Sequence, residues 1–212
     1  MKRTILLSAV LLWTSVALAS NVPVVEVELV SFDGTVVNGI PTFPYTLAYV
    51  NSGQFYAMCD DFYHDGAPGD LWWAYLTNLG TDSLGRVRFA SSGLAAYEEA
   101  AWLLQQTYLT PSTQWPDMHS AVWHIFNSTV PIDSNAQSWI NLAIANYANG
   151  NHGNIYVLTP LEIHAPPTGD QEFLLSGPPP YYPQTPEPAS VILLATGALG
   201  AVYKLRRRRR GD

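Results

Sequence analysis

The chain has 212 residues, 48% of them hydrophobic and 13% charged, with one cysteine and a formal net charge of −7. The basic residues crowd the two ends: Lys2 and Arg3 at the start, Lys204 and Arg206, Arg207, Arg208, Arg209 and Arg210 at the finish. Between them only Arg86 and Arg88 face sixteen acidic residues, a net charge near −14, so this part lacks the basic footprint that nucleic acid or anionic lipid requires.

Residues 1–19 read as a secretory signal peptide. Lys2 and Arg3 form its charged start, residues 4–16 its apolar stretch, and Ala17-Leu18-Ala19 a small-residue cleavage site. Signal peptidase would cut there and leave Ser20 as the first mature residue. Residues 20–176 are then long enough for one exported domain with its own core.

The first half of that domain reads as strand. Val25, Val27 and Leu29 alternate with Glu26 and Glu28, the pattern of a half-exposed strand. Asp33-Gly34 and Asn38-Gly39 are tight-turn pairs. Residues 45–50 and 54–59 flank Asn51-Ser52-Gly53 as a hairpin, and residues 71–79, with Trp72, Trp73 and Tyr75, suit a further strand. Adjacent Trp72 and Trp73 would point to opposite faces, so one of them is offered to solvent as a stacking surface for sugars.

The middle reads as three helices. Leu94, Tyr97, Ala101, Leu104 and Tyr108 recur at helical spacing. Asp117 is placed to cap a second helix over 118–126. Ser134 and Gln137 form a capping box for a third, whose apolar face is Ala136, Trp139, Ile140, Ala143, Ile144 and Tyr147 and which Asn149-Gly150 ends. Residues 155–158 and 172–175 return to strand. The expected fold is α+β, with about three helices packed on a mostly antiparallel sheet.

Residues 177–188 form a proline-rich stalk that ends in Pro186-Glu187-Pro188. Residues 189–203 are an apolar run. As a helix, 189–205 would be about 25 Å long, at the short limit for a span of the roughly 30 Å hydrocarbon layer. Lys204 and Arg206 to Arg210 stop it, and positive charge beside a span stays cytoplasmic, so residues 206–212 are expected inside and everything before Pro186 outside.

The order Pro-Glu-Pro, apolar helix and arginine cluster resembles the PEP-CTERM sorting signal of Gram-negative bacteria. The resemblance implies recognition of Pro186, Glu187 and Pro188 by an exosortase, transient anchoring in the inner membrane through 189–205, and then release to the cell envelope or the extracellular medium. It also implies an association with exopolysaccharide or matrix. It covers the tail alone.

Cys59 is the candidate reactive thiol of the domain. With the later segment Met118-His119-Ser120-Ala121-Val122-Trp123 it loosely resembles the thioester domains of bacterial surface adhesins, in which a strand cysteine and a helix glutamine join as an internal thioester. His119 stands where that glutamine belongs, and imidazole cannot form the acyl bond; Gln105, Gln106 and Gln114 are alternatives that spacing does not separate. A Cys59–His119 nucleophile pair would be the hydrolase version. Asp60, Asp61, Asp65 and Asp70 form an oxygen-rich loop, but Tyr63 and Trp72 occupy positions that a calcium loop fills with ligands. His119 and His124, five residues apart, diverge on a helix, so no metal and no cofactor is expected. The reading that results is an exported, non-enzymatic protein of the envelope or matrix. A surface adhesin acting on glycan or through a Cys59 thioester is the alternative, with a cysteine hydrolase last.

Overall fold

A computed structural model describes residues 22–50, 52–161 and 170–177. The signal segment 1–19, most of the stalk, the apolar run and the arginine cluster lie outside the described residues. Among the described residues no helix is long and apolar enough to cross a membrane.

Among the described residues, eight strands and three α-helices follow in the order β1 (Val24–Phe32), β2 (Val36–Val37), β3 (Ile40–Pro41), β4 (Tyr45–Tyr49), β5 (Gln54–Cys59), β6 (Leu71–Asn78), α1 (Gly93–Thr107), α2 (Trp115–Phe126), α3 (Ser134–Asn146), β7 (Ile155–Pro160) and β8 (Phe173–Ser176). The class is α+β and every pairing is antiparallel, as alternation in the sequence suggests. The sheet, however, closes on itself as a barrel in the order β1-β4-β5-β8-β7-β6. Closure removes the free edges that an open sheet would leave.

Alternation sorts the side chains. Val25, Val27 and Leu29 of β1 and Trp72, Ala74 and Leu76 of β6 are buried, whereas Leu71 and Trp73 are 58% and 53% exposed. The two tryptophans therefore divide as their adjacency requires. A second apolar row lies on the other face of the strands, where Met58 pairs with Leu174 and Leu174 with Val157. That row joins Tyr97, Leu103 and Leu104 of α1, Met118, Ala121 and Val122 of α2, and Ala136, Ile140 and Ala143 of α3 in one core. The helices thus cover one side of the barrel, each large buried apolar side chain contributing about 1.5–3 kcal/mol relative to exposure.

Local chemistry explains several boundaries. Asn38 (φ 54°) and Gly39 (φ 84°) make the turn between β2 and β3 as a two-residue hairpin loop with both residues left-handed. Gly34 is required by a close approach, since a Cβ there would stand 1.8 Å from the Thr42 carbonyl oxygen. Helix α2 begins earlier than expected, because Pro116 is tolerated in the first turn and Gln114 is its N-cap; Asp117 lies inside the helix. The cap of α3 is Asp133, whose carboxylate accepts from the Asn135 and Ala136 amides at 3.0 and 2.9 Å, so Ser134 is the first helical residue. On α3 Ile144 is 55% exposed, outside the buried stripe of Ala136, Ile140 and Ala143.

Candidate functional site

The polar residues that the sequence singles out converge where β5 and β8 end. Cys59 closes β5 opposite Phe173. Its thiol is wholly buried, donates to the Asp61 carbonyl at 3.2 Å and accepts the Asp61 amide at 3.3 Å. Trp123 lies against the sulfur, its indole N–H reaching no conventional acceptor. Burial pushes the thiol well up from its ordinary value, and the charges of Asp61 and Asp60 push it further. The candidate reactive thiol is therefore held protonated and out of solvent.

His119 enters from α2 and is equally buried. Its Nδ1 accepts the Phe43 amide at 2.7 Å, so the ring proton must sit on Nε2, which donates to the Cys59 carbonyl at 2.5 Å. An imidazolium would set an N–H against the Phe43 N–H. Burial accordingly lowers its pKa to about 3, against a smaller opposing effect of the bond to Cys59. The ring packs on Trp123 one turn along, with centroids 4.1 Å apart, and meets the edge of Tyr45 at 5.8 Å. The strand bearing Cys59 and the helix bearing Ala121-Val122-Trp123 do stand side by side, as the adhesin resemblance implies. Both imidazole nitrogens nevertheless serve backbone groups rather than the thiol. The Gln105 amide is engaged 2.8 Å from the Asn151 carbonyl, away from the sulfur's partners.

At the start of the acidic loop Asp60 and Asp61 are each 1% exposed. Asp61 forms an ion pair with Arg88 and lies 2.7 Å from His64 Nδ1, and Arg88 also donates to the Asp170 carbonyl at 2.8 Å. Gln171 donates to the His64 carbonyl and, at 3.4 Å, to that of Asp61. Farther along, Asp70 accepts the Ala67 amide at 2.6 Å. These carboxylates close their own loop, and among the described residues no three His, Cys, Asp or Glu side chains are placed to hold a metal ion.

Glu172 and Tyr97 complete the cluster. Glu172 accepts from Tyr97 Oη at 2.6 Å, from the Arg88 amide at 2.7 Å and from the Thr159 hydroxyl. Sequence reasoning missed this residue, although a signal was present: its same-face neighbour in the strand is Leu174, so its carboxylate must enter the apolar layer beneath the helices. Arg88 was likewise the one of two domain cations with a buried acid to meet.

Beyond the barrel lies the tail. Residues 184–210 are a PEP-CTERM protein-sorting motif. This PEP-CTERM segment holds Pro186, Glu187 and Pro188, the apolar run, and Lys204 with Arg206 to Arg210. It implies export of the chain and processing by an exosortase. No curated protein and no solved structure matches the chain. The PEP-CTERM residues lie outside the described ones, as do Ala17, Ala19 and Ser20 of the signal cleavage site.

Proposed function

We propose that this chain is an exported, non-enzymatic protein of the Gram-negative cell envelope or extracellular matrix, delivered by its PEP-CTERM tail. Signal peptidase frees the start at Ser20, residues 189–205 hold the chain in the inner membrane with 206–212 cytoplasmic, and an exosortase acts at Pro186-Glu187-Pro188. The single observation that carries this reading is the motif at residues 184–210. The buried cluster supports the non-enzymatic part, because Cys59, His119, Asp61 and Glu172 satisfy the domain's own groups beneath its surface. Exopolysaccharide or another matrix polymer is the proposed surrounding.

Replacing Pro186, Glu187 and Pro188 with alanine in the native host tests the sorting step. The unaltered chain should appear as a shortened form in the envelope or medium, and the variant should remain full-length in the inner membrane. Equal shortening of both would remove the exosortase from the account.

A second reading, a glycan-binding adhesin, is favoured by one feature. Trp73 is 53% exposed on the helix-free side of the barrel, opposite Glu26 on β1 and beside Tyr75, on which the Arg86 guanidinium stacks at 4.7 Å. A ring face beside a carboxylate suits the C–H face and hydroxyls of a sugar. Loss of polysaccharide retention in Trp73→Ala, with an unchanged unfolding midpoint, would support it; unchanged retention would remove it.

A further inference from the structure

We infer that Asp60 and Glu172 hold one proton between them and act as a latch at the β5–β8 end of the barrel, closed in acid and opened as the medium turns alkaline. The two residues face one another across the strands, where the Asp60 amide donates to the Glu172 carbonyl at 3.3 Å. Their side chains are 1% and 0% exposed. Glu172 accepts three hydrogen bonds, from Tyr97, Thr159 and Arg88, which is the environment of an ionised carboxylate. Neither oxygen of Asp60 receives a donor.

A carboxylate only accepts, so two ionised groups here would face each other with nothing between them. A proton on Asp60 turns it into a donor toward Glu172. The surrounding charges leave no other solution. On its own segment Asp60 is flanked by Cys59, a neutral thiol, and Asp61, which is matched by Arg88 and His64. Helix α1 presents Tyr97, whose phenol burial keeps protonated. β7 presents the uncharged Thr159. Arg88 offers its backbone amide, its guanidinium being turned to Asp61 and Asp170, and its Nε finds no partner. From α2 the neutral His119 holds the Cys59 carbonyl. Burial raises Asp60 most, and the charges of Glu172 and Asp61 raise it further.

The sign follows from linkage. An unfolded aspartate loses its proton near pH 4, whereas the folded pair retains it, so each further pH unit multiplies the unfolding constant by about ten. His119 acts oppositely, favouring the folded form as pH rises from about 3 to about 6.5. The two trends cancel between about pH 4 and 6.5, and above that range the acid pair acts alone for as long as it keeps its proton. The Asp60–Glu172 contact lies just beyond the Cys59↔Phe173 pair that ends the β5–β8 register. It can therefore part while the rest of the barrel stays paired, and its parting moves Asp61 away from the sulfur.

Cys59, the single cysteine of the chain, reports the event. An aromatic disulfide reagent is applied to the full chain under native conditions between pH 7 and 8. Thiolate formation alone gives a tenfold rise in rate per unit. The latch adds another factor of about ten, so the wild type should rise about hundredfold. Asp60→Asn, which keeps a donor toward Glu172 without a titrating group, should rise about tenfold. Equal slopes in the two proteins would overturn the inference. Should Asp60→Asn fail to fold, infrared spectra of the wild type at pH 7.5 decide: a carboxylic-acid carbonyl band supports the shared proton, and its absence overturns it.

Discussion

Replacing His119 with alanine removes a side chain whose hydrogen bonds tie α2 to both β5 and the segment before β4. The loss can be worked from its two bonds. The Phe43 amide, 2.7 Å from Nδ1, and the Cys59 carbonyl, 2.5 Å from Nε2, would both remain buried without a partner. Each stranded group costs about 1–3 kcal/mol, and the hole left by the ring beside Trp123 and Tyr45 adds to this. A total of about 3–6 kcal/mol is a large share of the roughly 5–15 kcal/mol that stabilises a typical domain. In urea unfolding this should lower the midpoint by about 2 M without a change in slope. His119→Gln supplies an acceptor and a donor in one group and should lose less than about 2 kcal/mol. It should also change the pH trend: the wild type is level between about pH 4 and 6.5, where His119 and the Asp60–Glu172 pair offset one another, and the glutamine variant should lose stability as pH rises through that range. With a folded pKa of about 3 against about 6.5 unfolded, His119 weakens the fold by about 1.4 kcal/mol per unit as pH falls through that window. An alanine variant within about 1 kcal/mol of the wild type would refute the tether, as would a glutamine variant no better than alanine.

Two further outcomes follow from the same geometry. Arg88→Ala leaves buried Asp61 without its guanidinium and should cost about 3–5 kcal/mol by denaturant titration, whereas Arg86→Ala, an exposed side chain stacked on the half-buried Tyr75 ring, should cost less than about 1 kcal/mol. Asp133→Ala removes two cap bonds from α3 and should cost about 0.5–2 kcal/mol; Ser134→Ala, read from sequence as part of the capping box, should change stability by less than about 0.5 kcal/mol.

Much of the architecture was legible because it follows from periodicity. The alternation of Val25, Val27 and Leu29, the Asn38-Gly39 turn and the paired tryptophans all act locally. The closed barrel was not legible, because closure depends on β1 meeting both β4 and β6, and no short-range pattern records a strand's second partner. The Asp117 expectation failed because Pro116, which has no amide proton, starts α2 earlier. Ile144 misled because it shares the helical spacing of Ala136 and Ile140 yet lies at the margin of the buried stripe, where it is left 55% exposed. The cluster was half legible: Cys59, Asp60, Asp61 and His119 stood out by residue type. Glu172 and Arg88, themselves 84 residues apart, join them from other segments of the chain, and that separation hides the pairing. The tail, by contrast, carries its motif in one continuous stretch, residues 184–210, so sequence alone exposes it.

The most direct test of the central claim is the intact mass of the protein recovered from its native host. A species beginning at Ser20 and ending at or near Pro186 is expected if the PEP-CTERM tail is a processed address. A species that keeps Arg206 to Arg210 would contradict it and leave a chain that stays anchored through its tail.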